Sequence, residues 1–214
     1  MTDAGVRAET ATVHALLNCY LRETGRYEVV PGTDLPDHPD VDDDAVVRAR
    51  LPEQDIDLFA PLDYRSPTGR HRFSMPVTYR VGDGPLVPLD ATTLAALVTR
   101  DLTLDREGET VAAELVRRVA GSKRNVERFV AGNDDAARTF ETTFREAEQS
   151  LVFGHLLHPT PKSRRGIAPR NAATYAPELG GSFQLHYFRA APDLITQHSA
   201  REGTAACLLY TSPS

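Results

Sequence analysis

The sequence predicts an α+β fold in which helices flank a small antiparallel sheet, with a further strand-bearing region towards the C-terminus. Three observations carry this expectation. Apolar residues recur at helical spacing near residue 10 and again beyond residue 90, the section between is rich in β-formers and turn residues, and alternation returns near residue 183. A chain of 214 residues with 41% hydrophobic residues can bury one sizeable core or two small ones.

The elements follow in order. In ETATVHALLNCYLRETG, residues 9–25, Val13, Leu16, Leu17, Tyr20 and Leu21 fall on one helical face and Gly25 supplies the stop. RYEVV reads as a strand. PGTDLPDHPDVDDDAVV, dense in Pro and Asp, reads as a solvated connector. SMPVTYRVGDGPLVPLD reads as two extended segments joined at Gly82-Asp83-Gly84. ATTLAALVTRDL predicts a helix, and ETVAAELVRRVAGSKRNVERFVAG a longer one with an interruption near Gly121, glycine being a poor helix former. DAARTFETTFREAEQSLVFGH predicts a third helix, ending at Gly154, with Phe140, Phe144, Ala147 and Leu151 on one face. GSFQLHYFRA predicts a strand over residues 183–190, with Phe183, Leu185 and Tyr187 on one side.

Charge is unevenly placed along the chain. Residues 1–148 hold 27 acids and 18 bases, whereas residues 149–214 hold 3 acids and 6 bases, and no Asp or Glu occurs from Gln149 to Pro177. A sequence pI of about 5.6 argues against nucleic-acid or anionic-membrane binding by the surface as a whole. No run approaches the ~20 apolar residues of a membrane span, and MTDAGVRAETATV lacks the basic leader and apolar core of a signal peptide. The expected compartment is therefore the cytoplasm, with neither membrane nor nucleic acid as partner. Cys19 and Cys207 are too few for a disulfide framework and have no zinc-type companions.

The loop GHLLHPTPKSRRGIAP, residues 154–169, concentrates the chemistry. His155 and His158 lie three residues apart, and Pro159 and Pro161 keep the following backbone extended, so that Lys162 and Arg164 project to one side. Lysine brings a compact charge and arginine a planar bidentate fork; with the Ser163 hydroxyl and nearby amides this is a donor set for a polyphosphate or a carboxylate. The alternative is a solvated basic face, or a docking patch over residues 155–170 for an acidic partner or RNA. Metal binding by the histidine pair finds no completing Cys, Asp or Glu in the loop, so no metal ligands are assigned. His14 reads as a core-edge residue, His71 as a strand residue, and His38 and His198 as loop residues without partner patterns.

EQSLVFGHLLHPTPKSRRGI followed by YAPELGGSFQLHYFRA resembles the signature of the NRPS-independent siderophore synthetases, the aerobactin-synthetase-like family. Gly154, His155, His158, Pro159, Lys162, Arg164, Gly166, Tyr175, Pro177 and Glu178 meet its pattern, while Leu156 stands where a proline is usual. Around Ser122 and Asn125, GSKRNVERF is only weakly similar. The resemblance implies a cupped-hand fold: a thumb over residues 1–150 and the beginning of a fingers domain over residues 151–206. It implies an ATP- and Mg2+-dependent ligase that adenylates a carboxylate of citrate or a related polycarboxylic acid and passes the acyl group to an amine or hydroxyl. His155, His158, Lys162, Ser163 and Arg164 would line the ATP phosphates, with Arg164 and His158 the catalytic candidates and Tyr175 and Glu178 bracing the loop. The full-length parent would be the enzyme, with a homodimer as an option, and this piece by itself inactive. The last eight residues, CLLYTSPS, resemble a translated sequencing adapter, so residues 207–214 are expected to be a non-native tail.

Overall fold

The computed structural model describes residues 2–35, 45–104, 109–133, 143–164, 166–186, 188–194, 196 and 198. Helix α1 spans Asp3–Thr24. Thr2 caps it, its hydroxyl accepting from the Gly5 amide, and Gly25 closes it in the left-handed conformation at φ 64°, the stop expected from the sequence. Six strands follow: β1 (Tyr27–Pro31), β2 (Ala45–Leu51), β3 (Ile56–Tyr64), β4 (Arg72–Phe73), β5 (Thr78–Val81) and β6 (Val87–Pro88). They form one antiparallel sheet in the order β1-β2-β3-β5-β6, with β4 added to the far end of β3.

Alternation along β2 and β3 divides the sheet faces. Val47, Ala49 and Leu51 on β2, with Ile56, Leu58, Ala60 and Leu62 on β3, enter the main core; Val46 and Phe59 turn the other way into a small cluster with Leu35. The main core is completed by Val13, Leu16, Leu17, Tyr20 and Leu21 of α1 and by Leu94, Ala95 and Val98 of α2 (Ala91–Leu104). Helix α2 starts at Asp90, whose Oδ1 accepts from the amides of Thr92 and Thr93 at 2.8 Å. Glu9 of α1 accepts the Ala91 amide at 2.5 Å and also pairs with Lys123 of α3 (Glu109–Ala131), tying three helices at one corner.

Several expectations change. Helix α3 runs without a break through Gly121, because its flanks are held: Val119 and Ser122 are buried, and the helix packs on α1 and α2. Helix α4 covers only Phe144–Gln149, started by a capping box between Thr143 and Glu146, so the helix stops short of Gly154. Phe144 and Leu151 are exposed and form no apolar seam there; Phe140 lies outside the described residues. A short α5 follows at Ala172–Tyr175. The segment PGTDLPDHPDVDDDAVV, read as a connector, already contains the start of β2 at Ala45, while residues 36–44, His38 among them, lie outside the described set.

Residues 1–182 form one compact unit and residues 183–214 a second. The second unit's described residues contain a single-turn 3-10 helix, Pro192–Leu194, and no strand. The predicted strand over 183–190 is therefore absent among them. Strands are stabilised by a hydrogen-bonded neighbour, and no described segment pairs with this one. Tyr187 and the tail 207–214 lie outside the described residues.

Candidate functional site: a basic loop clamped on helix α3

Within the first unit, the chain from Val152 to Leu179 is docked on α3 by a small apolar cluster. Val152 and Ala176 pack with Val126, Phe129 and Val130 of α3 and Ala8 of α1, and Phe153 and Leu179 pad the edge. Gly154 turns the chain with φ 76°, and a Cβ there would sit 2.8 Å from Pro161 Cβ and 3.2 Å from Lys162 Cε. Glycine is required by both conformation and space.

Polar side chains of α3, and Asn133 just beyond its end, grip the backbone of this segment. Ser122 Oγ accepts from the Lys162 amide at 2.9 Å, and Asn125 Nδ2 donates to the Lys162 carbonyl at 2.8 Å. Asn133 Nδ2 donates to the Glu178 carbonyl at 2.7 Å. These contacts give a structural reason for Ser122 and Asn125, the two residues in the weakly similar stretch.

At the centre is Glu178. Its Oε1 accepts from Lys162 Nζ and from Arg164 Nη2, each at 2.7 Å, while its Oε2 is buried without a hydrogen-bond partner. Burial alone would raise this carboxyl's pKa; the Lys162 hydrogen bond, a backbone hydrogen bond, and the charges of Lys162 and Arg164 override it and hold the group below the usual glutamate value. Lys162 and Arg164 do share a side of the loop, as the alternation after the prolines suggests, but they meet at a carboxylate sixteen and fourteen residues further on. Glu178 braces the loop, in line with the structural role expected for it.

The two histidines are arranged alike. His155 Nδ1 accepts from the Leu157 amide and His158 Nδ1 from the Thr160 amide, each at 3.1 Å. With Nδ1 an acceptor, the neutral ring carries its proton on Nε2, and both side chains are exposed. Two exposed imidazoles three residues apart, each with Nε2–H as its donor, suit an anion.

Beside this loop is a cavity of about 660 Å3 between α3 and residues 163–176. Ser163 and Arg164 line it, as do Gly166, Ile167 and Ala168; Lys162, His155 and His158 do not. The opposite wall is an arginine stripe on α3 that sequence reasoning missed: Arg117, Arg118, Arg124 and Arg128, with Glu114 as the acid among the described lining residues. The signal was present in the spacing. Arg117, Arg124 and Arg128, seven and four residues apart, recur on one helical face, with Arg118 beside them. Basic residues on a helix most often form a solvated face, so spacing alone does not single these out.

The donor set of the cleft fits a polyanion, ATP's phosphates included: guanidinium forks and a hydroxyl, with few competing acids among the described lining residues. Among the described residues there is no group of three or more His, Cys, Asp or Glu able to hold a metal. Among those residues no helix is long and apolar enough to cross a membrane.

Comparison with known proteins agrees with the resemblance in the loop. The model of the IucA / IucC family matches residues 143–212, which includes most of the tail expected to be non-native. The chain is 40% identical over 202 residues to a spermidine-citrate ligase of Bacillus anthracis, covering 90% of this chain and 34% of the relative. It is 33% identical over 204 residues to the rhizobactin siderophore biosynthesis protein RhbC of Rhizobium meliloti, covering 90% and 32%. Among solved structures, ATP-bound aerobactin synthetase IucA from Klebsiella pneumoniae superposes with a TM-score of 0.67 at 28% identity, over 80% of this chain and 29% of that one. The chain thus spans about a third of the length of the relatives it matches.

Proposed function

Starting from a chain that belongs to the IucA / IucC family of siderophore synthetases, we propose that the full-length protein is an ATP-dependent ligase. It joins a carboxylate of citrate, or of a related polycarboxylic acid, to an amine or hydroxyl. The observation that carries this reading is the placement of Ser163 and Arg164 on the wall of a cationic cleft, on a loop that Glu178, Ser122 and Asn125 hold in place.

ATP activates the carboxylate by adenylation, and bringing one anion up to another is the electrostatic difficulty of that chemistry. Donors fixed in advance offset the repulsion without reorganising at the moment of reaction. Arg164 spends one nitrogen on Glu178 and faces the cleft, so its fork is aimed before the nucleotide arrives. Ser163 adds a neutral donor. His155 and His158 lie outside the cleft wall and would reach the phosphates only through exposed Nε2–H groups on the preceding turn. Lys162, buried against Glu178, contributes its charge through that pair and anchors the turn.

Citrate-dependent exchange of labelled pyrophosphate into ATP by the full-length protein tests this reading, because it reports carboxylate activation without the acceptor. Exchange that requires citrate or a close analogue is expected. A full-length protein that binds RNA or an acidic protein through residues 155–170, and shows no exchange with any polycarboxylate, would instead establish the docking alternative.

A further inference from the structure

Two histidines sit where β4 meets α1, and neither has a part in the proposed chemistry. Asn18 of α1 pins the backbone of His71 twice, its Nδ2 donating to the carbonyl at 2.9 Å and its Oδ1 accepting from the amide at 3.0 Å. His14, one turn earlier, places Nε2 2.8 Å from the Phe73 carbonyl oxygen and 3.4 Å from the Phe73 amide, the shorter contact being a donation. His71 is 5% exposed, its ring edge-on to Tyr27 of β1 and tilted against Phe73 of β4. Its Nδ1 accepts from the Ser66 amide at 3.2 Å, which puts the ring proton on Nε2, a buried atom without a hydrogen-bond partner. Ser66 in turn closes a bend: its Oγ accepts from the Thr68 amide at 3.2 Å and its carbonyl from the Gly69 amide at 3.4 Å. One neutral imidazole therefore anchors the bend.

A second ring proton would sit on Nδ1 and face the Ser66 N–H, donor against donor, on a positive ring kept out of water. The surrounding groups do not offset that charge. Arg65, Arg70 and Arg72 on the same segment are exposed cations, no Asp or Glu occurs from residue 64 to residue 82, and the Asp63 carboxylate of β3 is engaged by Arg72 at 2.8 Å. From α1 come Asn18 and His14, and from β1 the Tyr27 ring, none of them negative. Burial, and then the charge of Arg65, hold His71 below the ordinary histidine value. His14 differs in kind, because its Nε2–H contact with the Phe73 carbonyl survives protonation.

We propose that residues 65–71 form a proton-operated latch. With His71 neutral the bend is closed beside α1; uptake of a proton from water at Nδ1 breaks the Ser66 contact and releases the bend, while His14 keeps Phe73 attached to α1. The latch is independent of the ligase reading.

Nitrogen-15 relaxation of the 214-residue chain between pH 8 and pH 5 tests it. The amides of Ser66, Thr68, Gly69 and Arg70 should have order parameters of about 0.85 at pH 8 and below about 0.6 at pH 5. The midpoint should be shared with the His71 ring nitrogens and lie below about 6.5, since the closed state disfavours the charged ring. Amides of β2 and β3 should stay at about 0.85 throughout. His71→Asn, which keeps an acceptor near the place of Nδ1 and cannot titrate, should hold the bend ordered at both ends of the range. His71→Phe, which keeps a ring and loses the acceptor, should leave the bend flexible even at pH 8. His14→Gln, which keeps a side-chain donor, should leave the transition in place. An ordered bend at pH 5 in the unaltered chain, a transition that persists in His71→Asn, or one that disappears in His14→Gln would overturn the proposal. Should His71→Phe fail to fold, His71→Asn decides.

Discussion

Replacing Glu178 by Gln keeps the shape of the side chain and removes the carboxylate that Lys162 and Arg164 share. The Lys162 and Glu178 side chains are 9% and 3% exposed, so the pair is buried, whereas Arg164 at 31% retains contact with water. Removing one partner of a buried pair leaves an uncompensated charge and typically costs about 3–5 kcal/mol. For a chain of this length that corresponds to a fall in melting temperature of about 6–20 °C. If the loss is local, the same energy appears as hydrogen exchange and proteolysis of residues 154–179 ahead of the main sheet core. Urea unfolding of the 214-residue chain, combined with peptide-resolved hydrogen exchange, measures both. Lys162→Met in the Glu178→Gln background should restore much of the loss, since no charge is then left unpaired. A Glu178→Gln chain within about 1 kcal/mol of the unaltered one, with unchanged protection of the loop, would refute the idea that this carboxylate holds the loop together.

Gly154→Ala should lose roughly 1–3 kcal/mol, from left-handed strain and the 2.8 Å approach to Pro161, whereas Gly121→Ala, in open space inside a helix, should gain about 0.5–1 kcal/mol; chemical denaturation of the two variants compares them. Acidification should weaken the fold in two windows. His14 and His71 titrate below the ordinary histidine value, mainly through burial, so the unfolded chain takes up protons first and stability falls as the pH drops below about 6.5. Glu178, also depressed, contributes fully above the ordinary glutamate value of about 4.3, and that contribution is lost as the pH falls through its lower native value; a series of urea midpoints from pH 8 to 3 follows both. Nitrogen-15 spectra should show the neutral rings of His155 and His158 as Nε2–H tautomers, and Nδ1–H forms would contradict the backbone contacts at their Nδ1 atoms.

Much of this was legible in the sequence, for reasons that differ by element. Helix α1 announces itself by a full apolar stripe and a glycine stop, and β5 and β6 by the Gly82-Asp83-Gly84 turn between them. Strands β2 and β3, the centre of the sheet, were not read: β2 begins directly after an Asp run, and β3 carries Pro61 in a stretch buried on both faces, which blurs the alternation. Gly121 misled in the opposite direction, because propensity is a weak prior once both flanks of a helix are buried. The segment from Phe183 lacks, among the described residues, the neighbour a strand needs, something no local pattern can reveal. In the site, His155, His158, Lys162, Ser163 and Arg164 stood out because prolines and glycines frame them. The shared use of Glu178 and the arginine wall of α3 depend on a tertiary contact forty residues long in sequence, from Ser122 to Lys162.

The central claim, that Arg164 is a fork aimed at phosphate during carboxylate activation, is tested most directly by citrate-dependent pyrophosphate exchange in full-length protein carrying Arg164→Lys or Arg164→Ala. Lysine keeps the charge and loses the planar pair of donors, so exchange should fall, and alanine should fall further, by about 10²–10³ in rate if the contact acts mainly on the transition state. Wild-type exchange by Arg164→Ala at limiting ATP would contradict the account.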